Sequence, residues 1–476
     1  MQREFDVVVI GAGPAGEVLA GRLAQRGARR VAIVERELVG GECSYYACMP
    51  SKALLRPAEL LGEVERVPGA AQAVTGSLDV AAVLERRDEI VHDLDDADQL
   101  PWLRSQGIEL VRGEARLDGE RRVRVGDDVL VARDAVVIAV GSGALVPPIP
   151  GLPEAGASSN RELTTARQVP RRLLVLGGGV VGVEMAQAWA SLGSRVTVIE
   201  AQDRLLPREE PFAGDELQEA LEQRGVDVRT GVRATAVSRD GDEITVTLEG
   251  DERRVGDRLL VAIGRRPLTD DLGLETIGLS AGYVEVDDQL RVPGHPWLYA
   301  VGDVNGRSLL THSGKYQARI AADHILGGDV AATTDGPGVP RVVFTDPQVA
   351  AVGLTLDAAC EAGIAAEAID LPTSGTAGAS FHGRGEPGTT RFVVDGERDV
   401  LVGATFVGAD VAELLHAATI AVVAEVPLAT LAHAVASFPT RSELWLKLIE
   451  AYESERGGSL HRRSRDRVLD VAGGTR

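Results

Sequence analysis

The amino-acid sequence predicts an α/β fold in which two parallel-sheet nucleotide-binding units precede a C-terminal α+β unit. Three observations carry this expectation. An apolar strand, Phe5 to Ile10, runs into the turn Gly11-Ala-Gly13-Pro-Ala-Gly16 and then a helix. The same order starts again at Gly177 with Gly177-Gly-Gly179-Val-Val-Gly182. After about Gly336 the pattern changes to short strands interleaved with helices.

In the first copy the helix extends to about Gln25, and a second strand, Val31 to Val34, ends at Glu35. In the second copy, Leu173 to Leu176 is the strand, the helix reaches Leu192, and Arg195 to Ile199 ends at Glu200. Each copy therefore reads β–turn–α–β with an acid about twenty residues beyond the glycines. Val136 to Ala139, before Val140-Gly141, and Leu259 to Ile263, before Gly264, supply strands that close each unit. Further on, strands are expected near Val342 to Phe344, Arg391 to Val394 and Val400 to Val407. Helices are expected near Val411 to Val423 and Ser442 to Tyr452, and a frayed tail from Arg456.

Composition bounds what such a chain can do. At 476 residues it is too long for one ordinary core, and its 44% hydrophobic content suits several packed ones. A net charge of -21 argues against nucleic acid as a partner, because phosphate binding needs a basic face. The start, MQREFDVVVIGAG, has no secretory pattern, and no apolar run is long enough to cross a membrane, so a cytoplasmic enzyme is expected. Three cysteines in such a chain do not make a disulfide framework; a bond between two of them would be catalytic. No metal site is expected.

The glycines have separate physical tasks. Gly11 and Gly177 permit a tight turn, Gly13 and Gly179 let the backbone approach a pyrophosphate, and Gly16 and Gly182 let helix and strand pack closely. The pyrophosphate would then meet free N–H groups at the positive end of the helix. Glu35 and Glu200 are placed to accept hydrogen bonds from an adenosine ribose. At Glu200 that choice favours NAD(H) over NADP(H), since a carboxylate repels an extra phosphate; Arg204 nearby softens the preference.

The segment Gly40-Gly-Glu-Cys43-Ser-Tyr-Tyr-Ala-Cys48-Met-Pro-Ser-Lys52 carries the most specific signal. It resembles the redox-disulfide motif of the class I pyridine nucleotide–disulfide oxidoreductases, the family of dihydrolipoamide dehydrogenase, glutathione reductase and mercuric reductase. The resemblance covers nearly the whole chain. Ala139-Val-Gly141, Ala262-Ile-Gly264-Arg265, Tyr299-Ala-Val-Gly302-Asp303, Leu310-Thr-His312 and Phe344-Thr-Asp-Pro347 match family segments in order.

The resemblance implies two Rossmann-like domains, one for FAD and one for NAD(P), and a dimerisation domain. It divides the chain into residues 1–150 and 268–336 for FAD, 151–267 for NAD(P), 337–455 for dimerisation and a tail at 456–476. It implies that Cys48 faces the flavin and that Cys43 is the outer thiol meeting the substrate. Lys52 would stand by the flavin, held by Glu184. The FAD site would take in Gly11, Gly13, Gly16, Glu35, Lys52, Gly113, Ala115, Gly141, Asp303 and the N–H groups of Leu310, Thr311 and His312. The NAD(P) site would take in Gly177, Gly179, Gly182, Glu200 and Gly264. A homodimer is implied, because the family completes its substrate site across the subunit boundary.

Two departures bear on the reaction. The family's catalytic histidine near the C-terminus is Phe438 here, within Ser437-Phe438-Pro439-Thr440-Arg441-Ser442-Glu443, while the glutamate position is kept as Glu443. Phenylalanine moves no proton, and a positioned acid/base is worth about 10²–10⁴ in rate. His433 lies five residues upstream as a substitute or as a surface histidine. The second departure is Tyr45-Tyr46 between the cysteines, to stack on a flat acceptor, to narrow the substrate entrance, or simply to pack. No cysteine follows Cys360, so mercury capture by a C-terminal cysteine pair is not expected. Two functions stay open: transfer among NAD(P)H, FAD and a small dithiol or disulfide, or reduction of a quinone-like acceptor directly from the flavin.

Overall fold

The structure, a computed structural model, describes residues 1–27, 29–383, 388–457 and 460. Its first sheet is built on β1 (Gln2–Ile10), where continuous apolar residues are buried on both faces as a central parallel strand requires. Around β1 lie β2 (Val31–Glu35), β3 (Glu109–Arg112), β4 (Ala115–Leu117), β5 (Arg122–Val125) and β6 (Asp128–Ile138), in the order β3-β2-β1-β6-β5-β4. The strands β3, β2, β1 and β6 are parallel, and β4–β5–β6 turns back as an antiparallel meander. Leu298–Ala300 returns from much later in the chain to pair with β6 in parallel.

Helix α1 (Pro14–Gly27) crosses from β1 to β2, burying Leu19, Ala20 and Leu23 against the sheet. The second sheet is four-stranded and parallel, in the order Asp227–Arg229, Arg195–Ile199, Arg172–Leu176, Arg258–Val261. A three-stranded antiparallel sheet, Ala234–Asp240, Glu243–Leu248 and Arg253–Gly256, sits beside it. The C-terminal unit is a five-stranded antiparallel sheet with the helices Val411–Val423 and Leu444–Arg456 packed on it. The α/β fold class read from the sequence is the one observed.

Element ends differ where side chains mislead. The last helix begins at Leu444, not Ser442, because Arg441–Glu443 forms a 3₁₀ turn first. It runs on to Arg456; of the tail expected from there, only Gly457 and Leu460 are described, and the rest lies outside the described residues. The strand expected to reach Ile263 stops at Val261, because the chain turns into Gly264, whose φ of 151° suits glycine.

The redox segment forms α2 (Gly41–Tyr45) and α3 (Cys48–Arg66). Leu54 and Leu55 of α3 share one apolar cluster with Val175 and Val183 of the second unit and Val349 and Val407 of the C-terminal sheet. The helix that carries Cys48 and Lys52 is thus fixed by all three parts of the chain.

Candidate active site

The two glycine turns are superimposable in their logic. Gly11 has φ 103° and Gly177 φ 109°, conformations that L side chains rarely adopt. A Cβ on Gly16 would overlap the Gly11 carbonyl, and one on Gly182 would overlap the Gly177 carbonyl. At Gly13 and Gly179 a Cβ would meet nothing within 4 Å. That open space above each helix start is where a pyrophosphate fits.

The acids have a task that the sequence does not disclose. Glu35 accepts from the Ala12 N–H at 2.8 Å and the Glu37 N–H at 2.8 Å. Glu200 accepts from Gly178 N–H at 2.6 Å and Gln202 N–H at 2.7 Å. Each carboxylate therefore holds the glycine turn in shape before any ribose arrives. A cleft of about 290 Å³ opens beside the first turn, lined by Gly11, Glu35, Gly113, Ala115 and Arg266 among others. Its size and lining suit the adenosine half of a dinucleotide.

Gly141 (φ 70°) leads into Ser142, whose hydroxyl donates to Asp303. Arg265 Nε in turn donates to the Ser142 hydroxyl at 2.7 Å, and its charge lies 3.7 Å from Asp303. The helix Thr311–Ile325 starts after Leu310, a residue with no side-chain acceptor for the amides of its first turn. Those N–H groups are therefore free to meet an anion. His312 is committed elsewhere: its Nε2 donates to the Pro340 carbonyl at 2.7 Å. These features, together with the first glycine cradle, fit FAD.

Cys43 lies in α2, and Cys48 is the first residue of the 19-residue α3. Both are free thiols, close enough to act on each other's charge. Cys48 Sγ is 3.5 Å from Thr311 Oγ1. Its bond to Cys43, then that to Thr311 and the nearby Lys52 ammonium, outweigh burial and lower it to about 6. Cys43 moves up instead, since it donates to the Cys48 sulfur, is buried and feels that sulfur's charge. The pair is thus polarised, with the negative charge on Cys48.

One turn along α3, Lys52 Nζ donates to Glu184 Oε2 at 2.7 Å and stands 4.8 Å above the Phe344 ring. Glu184 is buried, and its other oxygen accepts from the Phe344 N–H at 3.0 Å. Glu443 is not part of this constellation within one chain; its carboxylate accepts from Gly378 N–H at 3.3 Å. Phe438 is 77% exposed.

Sequence reasoning missed several neighbours. Tyr45 is buried and packs beneath the Gly40 turn, so packing, not stacking on an acceptor, is its role. Tyr46 is covered by the Arg161 guanidinium, 4.5 Å from its ring centre. Arg161 also binds Glu37 and Glu42, while Asn160 donates to Glu42 and to the Tyr46 carbonyl. Together they clamp α2 from the second unit. Around the second glycine turn, Val180, Val181 and Ile263 are exposed.

Residues 5–322 match the pyridine nucleotide-disulphide oxidoreductase family, and residues 339–449 match that family's dimerisation domain. The chain belongs to this family. It is 35% identical over 463 residues to a dihydrolipoyl dehydrogenase of Thermus scotoductus, covering 95% of this chain and 98% of that one. It is 33% identical over 464 residues to a mercuric reductase of Streptomyces lividans, covering 95% and 97%. Among solved structures it is similar to the HOCl-induced flavoprotein disulfide reductase RclA of Escherichia coli in its Cu(II) complex. That likeness has a TM-score of 0.82 at 28% identity, over 93% of this chain and 98% of the other. The protein is an FAD-dependent pyridine nucleotide-disulfide oxidoreductase of class I. Among the described residues, no helix is long and apolar enough to cross a membrane.

Proposed function

We propose that the oxidoreductase passes electrons between NADH and a small dithiol or disulfide through Cys43 and Cys48, in the manner of a dihydrolipoamide dehydrogenase. The observation that carries this is the polarised cysteine pair, with Cys48 at a helix start between Thr311 and the Lys52–Glu184 pair. FAD, when bound, supplies a two-electron relay between nicotinamide and the pair. In the reducing direction, NADH, one proton and the Cys43–Cys48 disulfide give NAD⁺ and two thiols. Cys43 then attacks the substrate disulfide, one substrate sulfur leaves as a thiol, and Cys48 displaces the second as the enzyme disulfide re-forms. Cys48 suits the last attack because the Thr311 hydroxyl and the Lys52 ammonium still favour its thiolate once Cys43 carries the substrate sulfur.

The cofactor sites are assigned as the sequence reading has them. The FAD site takes in Gly11, Gly13, Gly16, Glu35, Lys52, Gly113, Ala115, Gly141, Asp303 and the Leu310–His312 amides. Gly177, Gly179, Gly182, Glu200 and Gly264 take the nicotinamide cofactor, with NADH preferred because Glu200 presents a carboxylate where a 2′-phosphate would sit. We place the active enzyme as a homodimer; exposed Ile420, Val423 and Leu446 on the C-terminal helices support a covered face there. The match to a dimerisation domain supports it too.

Phe438 favours a second reading, reduction of a quinone-like acceptor from the flavin, which needs no acid/base at that position. Replacement of Cys43 decides between the two. If Cys43→Ser abolishes NADH-driven disulfide reduction, the dithiol route operates. Unchanged turnover of every accepted substrate by Cys43→Ser would remove the disulfide reading and leave the flavin route.

A further inference from the structure

Cys43 and Cys48 are held by different means. Cys48 opens α3, which is 19 residues long and buries Leu54 and Leu55 in the cluster shared by all three parts of the chain. Cys43 sits in α2, five residues that follow Gly40 with no side-chain cap. A single helical turn is unfavourable on its own, because it fixes many dihedrals for few hydrogen bonds. Contacts from outside α2 must therefore fix the outer thiol.

The second nucleotide unit supplies them. Asn160 Nδ2 donates to Glu42 Oε1 at 2.8 Å and to the Tyr46 carbonyl at 2.9 Å. Arg161 meets Glu42 Oε2 through Nε and Nη2, each at 2.6 Å, and reaches Glu37 through Nη1 at 2.8 Å. Thr164 Oγ1 donates to the Tyr46 carbonyl at 2.9 Å. The residue before Cys43 and the carbonyl three residues after it are thus both held. Asn160 is buried, which raises the cost of leaving its acceptors unpaired.

These donors are themselves anchored. Their short helix, Asn160–Thr164, begins with a capping box between Ser159 and Glu162. Arg87, fully buried, donates to the Thr164 carbonyl and to the Ala166 carbonyl. Ser158 joins the strand Arg258–Val261: its N–H donates to the Leu259 carbonyl at 2.7 Å, and its carbonyl accepts from Val261 at 2.9 Å. Beyond that strand, Arg265 bonds Ser142 and brings its charge to 3.9 Å from Glu42.

We infer that Asn160 and Arg161 are positioning residues for the outer thiol: through Glu42 and the Tyr46 carbonyl they hold Cys43 within reach of Cys48. The inference deepens the proposed dithiol route and rests on Cys43 and Cys48 being its working pair. Its consequence is selective. Closing the enzyme disulfide depends on the effective concentration of one sulfur at the other, which a loosened α2 lowers. Lys52 is carried by α3 and held by Glu184, so the route from NADH to flavin does not pass through this clamp.

The test uses the FAD-loaded enzyme, kept free of oxygen and equilibrated in buffers of reduced and oxidised dithiothreitol. After acid quenching and alkylation, mass spectrometry of the peptide holding Cys43 and Cys48 gives the fraction present as disulfide. Arg161→Met is expected to shift this equilibrium about 10-fold toward the dithiol, the loss of one charge-assisted hydrogen bond. Arg161→Lys keeps the charge without the fork and is expected to fall between. Asn160→Ala removes two donated bonds with no change of charge and is expected to shift the equilibrium the same way, a readout that survives a poorly folding Arg161 variant. Adding Glu42→Gln to Arg161→Met is expected to shift it no further, since both break one contact. Flavin reduction by NADH, followed by rapid mixing, is expected to match the parent in every variant. A parental equilibrium in both Arg161→Met and Asn160→Ala would overturn the proposal, as would loss of flavin reduction in step with the disulfide, the mark of a generally loosened fold. A parent enzyme whose Cys43–Cys48 bond NADH fails to reduce would instead overturn the dithiol route on which the proposal stands.

Discussion

Lys52 Nζ donates to Glu184 Oε2 at 2.7 Å, joining residues 132 positions apart. Glu184 also accepts the Phe344 N–H, so one buried carboxylate ties α3, the second nucleotide unit and the C-terminal unit together. Replacing it with glutamine keeps the shape and removes the counter-charge. A lost charge-assisted hydrogen bond is worth about 1.5–3 kcal/mol, or about 10- to 100-fold in rate where the ammonium acts in the reaction. Glu184→Gln is therefore expected to slow NADH-driven flavin reduction by that factor in rapid-mixing absorbance. A parental rate would show that Lys52 is structural.

The low value of Cys48 depends on donors as well as on the helix start. In a Cys43→Ser background, where the serine hydroxyl still donates, the Cys48 thiolate should persist as pH falls from 8 to about 6 and be lost below. Adding Thr311→Val deletes the donor 3.5 Å away. The transition should then move up by about one unit, leaving Cys48 about half ionised at pH 7. Thiolate absorbance in the ultraviolet measures both curves; an unmoved transition would assign the effect to the helix and Lys52 alone.

The parts of this site legible in sequence are those where chemistry demands one residue type. Gly16 and Gly182 are glycines because any Cβ would strike a carbonyl, so the motif and its geometry are nearly the same statement. The cysteine pair was legible through its resemblance to a family. The clamp of Asn160 and Arg161 on Glu42 was not, since its partners lie 118 and 119 residues apart and nothing local marks them. The meander Ala234–Gly256 is not legible for another reason: its strands face solvent on one side and carry more polar than apolar residues.

Glu200 shapes the second turn, and in the proposed nucleotide site it would also present charge to the ribose. Glu200→Gln loses the charge, keeps one oxygen for the Gly178 N–H and costs some order in the turn. It is expected to lower kcat/KM for NADH while raising that for NADPH, narrowing the preference by about 10-fold, near 1.4 kcal/mol. Steady-state kinetics with both nucleotides read the ratio. A ratio that stays put would show that Glu200 acts on the loop and not on the ribose.

Phe438 tests what the missing histidine costs. It is 77% exposed, so Phe438→His should change stability by no more than about 0.5 kcal/mol. If the dithiol route is slowed only by the lack of an acid/base, the new imidazole should raise turnover of dihydrolipoamide by about 10-fold or more, within the range a positioned base supplies. The gain should appear as an alkaline rise in rate, because the imidazole must be neutral to accept a thiol proton. Quinone reduction, which needs no such group, should not change and serves as the internal control. Equal effects on both acceptors would mean that position 438 shapes access and not proton transfer. No gain in either would show that the surrounding loop no longer delivers residue 438 to the thiols, and would favour the flavin route as the working one.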